Sequence, residues 1–364
     1  VTIVALAVFV GMLVWVLTKE RGRVADKKEV FRGEITRAED VTGIEVVKWM
    51  DAPAEPEPPS NAAKDKAADK SKAAADAQGK DKGKQDKPAR VPEKRLVLEK
   101  QGDEWRLVEP LKGQADPEAV DKMVKAIVEL KPVVQEDVSP TSPEFGLDKP
   151  EFDVIAKLKS GKQIKISLGK NTQVGAQIYA QISDKTGLHM VPSTFRTDLD
   201  KTADSIQDKK LARFEKDDVT AATFTNEKGT VVATRDQEGT GTEKKVNWTI
   251  TSPGKYKGDE WAISSGVNRI VDTVAKEIIG APKDLKEYGL DKPRAYCKVQ
   301  LKDGKSVEVS IGKGIKKKLP TYEGSTTEEE QDLVYAMRKG RPEVLLVENT
   351  VFETRFDGFA RRDA

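Results

Sequence analysis

The sequence predicts an α+β protein: an N-terminal transmembrane helix followed by two repeated modules, each a mainly antiparallel β-sheet with one long helix. Three observations predict it. The first 17 residues, VTIVALAVFVGMLVWVL, carry no charge. Beyond residue 100 the chain contains one residue pattern twice, at a constant spacing. Within each copy, short runs alternate apolar and polar residues, as half-buried strands do, and one longer run has helical spacing.

The apolar segment comes first. As a helix, 17 residues span about 25 Å, a little short of the ~30 Å hydrocarbon core. The chain begins with Val rather than Met, so upstream residues are expected. Trp15 falls where an interfacial ring would sit. Thr18-Lys19-Glu20-Arg21 follows without a small-residue cleavage site, so an uncleaved anchor over residues 1–18 is expected rather than a signal peptide. Lys19, Arg21, Arg23, Lys27, Lys28 and Arg32 trail it. Taken alone, the positive-inside rule assigns that flank to the cytoplasm.

Residues 52–93 hold a single larger apolar residue, Val91, and mix charges of both signs. Such a stretch cannot bury enough surface to offset its ordering entropy, so a disordered, solvated insert is expected. The repeat shows where it lies. Trp105 to Pro110 matches Trp248 to Pro253, and Phe145-Gly146-Leu147-Asp148-Lys149-Pro150 matches Tyr288-Gly289-Leu290-Asp291-Lys292-Pro293. Leu168-Gly169-Lys170 matches Ile311-Gly312-Lys313, and Tyr179 matches Tyr322; every pair is 143 residues apart. Asp40-Val41-Thr42 matches Asp218-Val219-Thr220 at 178, and the 35-residue excess is the insert. The insert therefore sits inside the first module. The expected organisation is an anchor at 1–18, module one at 19–216 and module two at 217–364.

Each module can be followed along the chain. Residues 41–49 form a strand, and residues 95–99 its hairpin partner across the insert. Residues 104–108 form the next strand, anchored by Trp105. Asp116 caps a helix with Pro117 at its first position. Val120, Val124, Ile127 and Val128 make its apolar stripe, flanked by Met123 and Leu130. Val267, Ile270, Val271 and Val274 do the same in the second copy. Phe152, Val154, Ala156 and Leu158 alternate, Ser160-Gly161-Lys162 turns, and Ile164, Ile166 and Leu168 alternate back. Cys297, Val299 and Leu301 answer Val307, Val309 and Ile311 around Asp303-Gly304. Strands near 178–182 and 188–191 complete the sheet, and a short helix near 194–200 follows.

Candidate chemistry is sparse. Lys+Arg is 63 against Asp+Glu 61, a balance that gives no support for nucleic acid as a partner. A single cysteine, Cys297, rules out a disulfide and a thiolate metal cluster within these residues. A single histidine, His189, rules out HExxH and multi-histidine sites. Neither a catalytic residue nor a cofactor or metal site is expected. Cys297 aligns with Val154 and reads as a buried, inert thiol. Lys316-Lys317-Lys318 and Glu328-Glu329-Glu330 read as solvated loops.

The repeated turn reads as structural. Gly146 and Gly289 supply an unusual backbone angle, Leu147 and Leu290 plug the core under each module's helix, and Asp148 and Asp291 hydrogen-bond within the turn. Pro150 and Pro293 launch the next strand. Trp105 and Trp248 read as core anchors, with a ligand platform as the alternative.

These marks resemble the bacterial domain of unknown function 4340 family. They are an N-terminal anchor, Asp-Val-Thr strand starts, Trp-x-Leu-x-x-Pro, a helix, then Tyr-Gly-Leu-Asp-x-Pro and a hairpin. Asp208-Lys209-Lys210-Leu211 resembles the family's junction between modules, while Phe145 in place of Tyr and the insert depart from its pattern. The resemblance implies a single-pass protein of the bacterial inner membrane, its modules facing the periplasm. It implies partnership with ABC transporter permease or auxiliary subunits and carries over no catalytic residue. On orientation it opposes the basic flank, and the expectation follows the resemblance. The rival expectation is an extracytoplasmic binding module for a carbohydrate, peptidoglycan or small solute, with Trp105 and Trp248 lining its groove.

Overall fold

A computed structural model describes residues 37–52, 90–173, 175–238, 245–321 and 325–349. The expected anchor at 1–18 and all but the ends of the 52–93 insert lie outside these residues. The chain divides into two compact units, Val1–Gln207 and Asp208–Ala364. Among the described residues no helix is long and apolar enough to cross a membrane.

The first unit runs β1 (Val41–Asp51), β2 (Arg90–Gln101), β3 (Glu104–Glu109), β4 (Gly113–Gln114), α1 (Pro117–Val128), β5 (Val133–Gln135), β6 (Phe152–Leu158), β7 (Gln163–Asn171), β8 (Gln177–Ile182), β9 (Leu188–Pro192), α2 (Ser193–Leu199) and α3 (Ala203–Ile206). Its nine strands form one antiparallel sheet in the order β4-β3-β2-β1-β6-β7-β8-β9-β5. Two meanders thus meet at the β1–β6 pair, and α1 carries the chain from one edge to the other. Residues 90–93, expected in the insert, belong to β2, and β1 pairs with β2 from Gly43↔Glu99 to Asp51↔Arg90.

The second unit repeats this layout. It comprises β10 (Val219–Asn226), β11 (Gly229–Glu238), β12 (Lys245–Ser252), β13 (Tyr256–Lys257), α4 (Glu260–Asp272), β14 (Glu277–Gly280), β15 (Ala295–Leu301), β16 (Ser306–Pro320), β17 (Glu328–Arg338) and β18 (Val344–Glu348). The order is β13-β12-β11-β10-β15-β16-β17-β18-β14, the same arrangement strand for strand. Residues 208–216 belong here rather than with the first module. Leu211 and Ala212 are in the second core, Leu211 N–H donates to the Thr273 carbonyl, and Ala275 N–H to that of Lys209.

Period-two alternation builds both cores. Phe152↔Leu168, Val154↔Ile166 and Ala156↔Ile164 face one another across β6 and β7, all nearly inaccessible to solvent. Asp116 caps α1, accepting from the N–H of Glu118 and Ala119 at 2.8 and 3.1 Å. Asp259 caps α4 through Ala262 N–H at 2.8 Å. The buried stripes are Val120, Met123, Val124 and Ile127 on α1, and Ile263, Gly266, Val267 and Ile270 on α4. Both follow i, i+3, i+4, i+7 spacing. Met123 therefore belongs to the stripe and Val128 lies at its margin. Val271 is also marginal, and Val274 lies past the end of α4, 53% exposed.

The charge runs are not loops. Within the long β16–β17 hairpin, Lys316 faces Asp332, Lys317 faces Gln331 and Lys318 faces Glu330. Lys316 Nζ lies 3.3 Å from Glu330 Oε1, and Lys317 pairs with Glu277. Opposite charges across a ladder contribute about 0.2–1 kcal/mol per pair, which offsets the weak strand preference of Lys and Glu. This hairpin also breaks the 143-residue spacing. Leu168 pairs with Ala180, whereas Ile311 pairs with Ala336, so 13 more residues lie between the partners in the second unit. Tyr179 accordingly corresponds to Tyr335, not Tyr322. The ring of Phe145 packs tilted against Tyr179, centroids 4.8 Å apart, and that of Tyr288 meets Tyr335 edge-to-face at 4.9 Å. Tyr322 itself lies outside the described residues.

Candidate functional site

The repeated turn and the repeated Leu/Ile-Gly-Lys form a single contact. Gly146 and Gly289 have φ of +70° and +66°, the left-handed region that glycine enters freely. The turn they end lies close against β7 in the first unit and β16 in the second. A Cβ at Gly169 would sit 2.1 Å from the Phe145 carbonyl oxygen, and one at Gly312 would sit 2.0 Å from that of Tyr288. Leu147 and Leu290 are 7% and 5% exposed and pack beside these glycines. They are not members of the clusters that contain α1 and α4, so they do not sit under the helices. The turn's side of the sheet buries them instead.

Asp148 and Asp291 are exposed. No hydrogen bond to either carboxylate is found among the described residues, which removes their expected turn role. Backbone bonds close the second turn, Gly289 N–H to the Lys286 carbonyl and Leu290 N–H to that of Leu285, both 3.0 Å. Pro150 and Pro293 lead into β6 and β15, and the Pro150 carbonyl accepts from Arg90 Nη1 at 2.7 Å. Leu290→Ala is expected to cost about 2 kcal/mol, the lower end for core leucines because the site borders the surface. Asp291→Asn should cost under about 0.5 kcal/mol. Urea midpoints of the two variants check the contrast.

Trp105 and Trp248 are 6% and 3% exposed and belong to the two cores. Their burial leaves neither indole open as the ligand platform that the binding-module expectation makes of it. Trp248 keeps a polar handle: its indole N–H donates to Ser264 Oγ at 3.0 Å. Cys297 is buried, and burial pushes its thiol pKa up, away from a reactive thiolate. His189 is buried in β9, where burial lowers its pKa and holds the ring neutral; its Nδ1 has no partner among the described residues. No cluster of three or more potential metal ligands occurs among the described residues.

Two polar clusters were not legible from motifs. Asp208, Arg341 and Glu343 form a buried ionic group in the second unit, with the half-buried Arg213 at its edge. Arg213 Nη2 lies 2.9 Å from Asp208 Oδ1, and Arg341 Nε lies 3.3 Å from Glu343 Oε2. The second cluster centres on Glu308. Lys339 Nζ and Lys298 Nζ lie 2.9 and 3.2 Å from its oxygens, and the Tyr296 hydroxyl donates to it. With Lys339 as the first cause, these contacts hold the Glu308 carboxyl down to about 2. Burial, then Glu308, pushes Tyr296 up to about 12. A depressed carboxylate stabilises the fold above its ordinary pKa near 4.5, and the stabilisation is lost as pH falls through the folded value. The second unit should therefore weaken between pH 4.5 and 2. Glu308→Gln should flatten that limb and cost about 1 kcal/mol at pH 7, because the largely exposed Lys339 ammonium is screened by water. Urea midpoints across the pH range check this.

A cleft of about 750 Å³ opens beside the start of α4. Asn247 and Trp248 of β12 form one wall, Lys257 and Gly258 lie along a second, and Trp261, Ser264, Ser265 and Asn268 face it from α4. Gly258 brings the chain close over Trp248, where a Cβ would sit 2.9 Å from both the Trp248 Cβ and its carbonyl oxygen. Its N–H donates to the Trp248 carbonyl at 2.8 Å. Trp261 is 79% exposed. Nothing in the repeat pattern singles it out, because the first unit has Glu118 at that place.

No curated protein and no solved structure matches the chain. A family model, domain of unknown function (DUF4340), matches residues 105–247 and 248–363. Each match starts at a buried tryptophan, Trp105 or Trp248, and so begins two strands into a structural unit. Covering most of the chain in two tandem segments, these matches establish that the protein belongs to the DUF4340 family.

Proposed function

We propose that the protein is a non-enzymatic, membrane-anchored accessory or scaffold protein of the bacterial envelope. Residues 1–18 form its single-pass anchor in the cytoplasmic membrane. Both modules stand on the extracytoplasmic side, where they engage an ABC-type transporter through its permease or auxiliary subunits. The observation that carries this reading is the duplication itself. Two units of the same strand order lie in one chain, and most of the residues repeated between them, the exposed Asp148 and Asp291 excepted, serve folding: buried tryptophans, helix caps, and the turn seated on Gly169 and Gly312. Recognition then falls to the surfaces that differ between the units, as expected of a tandem adaptor. The uncharged N-terminal segment supports the anchor. The test is crosslinking in intact cells, then purification in mild detergent. Transporter subunits should be recovered with the chain; a monodisperse chain without them would sink the proposal.

A further inference from the structure

The internal repeat acts as a control for the cleft beside α4. Positions 143 residues earlier occupy the same places on β3 and α1. There the first unit has Glu104, Glu118, Asp121, Lys122 and Lys125; the second has Asn247, Trp261, Ser264, Ser265 and Asn268. Five charged side chains are replaced by one exposed indole and four neutral hydrogen-bonding groups, in a chain that is 34% charged. The fold does not require this, since the first unit builds the same capped helix without it. An indole left 79% exposed loses the stabilisation that its burial would bring.

The chemistry fits one ligand class. An exposed tryptophan face takes the apolar C–H face of a sugar ring, and amides and hydroxyls bond the hydroxyls at its rim. The Asp259 carboxylate is occupied in capping α4, and Trp248 orients Ser264 from beneath. Lys257 and Glu260 also border the cleft and bring one charge of each sign. At about 750 Å³ the space lies within the ~300–1,000 Å³ of small-molecule sites. A protein-partner hot spot would set Trp261 in a desolvated apolar pocket; here its neighbours are mostly polar and the space is concave. We propose that this cleft is a binding site for a short neutral glycan, with one ring stacked on Trp261 and its hydroxyls bonded by Asn247, Ser264, Ser265 and Asn268.

The test uses the full chain in a detergent without a sugar headgroup, titrated calorimetrically with maltotriose, cellotriose and chitotriose. At least one should bind saturably. Trp261→Glu and Asn268→Lys, which install the residues of the first unit, should each weaken that binding at least tenfold and leave the urea midpoint unchanged. If none of the three sugars binds, or binding survives Trp261→Glu, the proposal is overturned. A photocrosslinker at position 261 that captures a protein in cells would also overturn it, assigning the cleft to a protein partner.

Discussion

Gly312→Ala is expected to destabilise the second unit by about 3 kcal/mol or more, at the top of the range for overpacking. The cost is steric. The added Cβ would meet the Tyr288 carbonyl oxygen at 2.0 Å and Leu290 Cγ at 3.1 Å. A flexible side chain could swing away from such an intrusion, but a turn carbonyl cannot. The turn would have to lift from β16, carrying Leu290 and the Tyr288 ring that packs edge-to-face against Tyr335. Gly169→Ala should do the same to the first unit, where the distance to the Phe145 carbonyl oxygen is 2.1 Å. Gly304→Ala is the control. Gly304 has φ of +80° with nothing within 4 Å of its Cβ position, so that substitution carries only a left-handed backbone cost of about 1–2 kcal/mol. Urea unfolding of the three variants separates the terms. A Gly312→Ala variant no less stable than Gly304→Ala would show that the turn is not seated as described.

The contrast between these glycines shows how far the sequence could be read. Alternation at Phe152, Val154 and Ala156, and the caps at Asp116 and Asp259, are local signals, so strands and helices follow from nearest neighbours. The repeat extends this to topology, because most residues that recur at the fixed spacing serve the fold, although Asp148 and Asp291 recur and are exposed. What escapes is contact between distant segments. Gly169 and the Phe145 turn are separate motifs until the sheet brings them together. The 13 extra residues of the β16–β17 hairpin hid the equivalence of Tyr179 and Tyr335, since a constant spacing assumes no insertion. Lys316 to Lys318 resemble a loop until Glu330 and Asp332 are found opposite them. The cleft is harder still: Trp261 is legible only as a departure from Glu118, and that comparison gains meaning once both are placed on the first turn of equivalent helices.

Arg341→Met is expected to cost about 3–5 kcal/mol, as for other buried ion pairs that lose one partner. Arg341 is 3% exposed, Glu343 4% and Asp208 0%. Its guanidinium ties the loop before β18 to the stretch that enters the second unit. Nε donates to Glu343 Oε2 at 3.3 Å, Nη1 to the Lys210 carbonyl at 3.1 Å, and Nη2 to the Asp208 carbonyl. Two of these acceptors lie in the stretch that enters the second unit, and the third precedes β18. Methionine fills the volume but leaves Glu343 charged and buried without this partner, along with two carbonyls that lose a donor. Asp208 fares better, since Arg213 Nη2 at 2.9 Å and Lys210 N–H at 3.1 Å remain on it. The uncompensated Glu343 carboxylate should therefore dominate the loss. Adding Glu343→Met to Arg341→Met should recover about half of it, although one more polar group has been removed. Arg341→Lys should recover less, because an ammonium cannot reproduce a fork aimed at three acceptors. If the double variant were no more stable than Arg341→Met alone in urea, the loss would come from the orphaned carbonyls, and the charge of Glu343 would not be the reason that Arg341 is buried there.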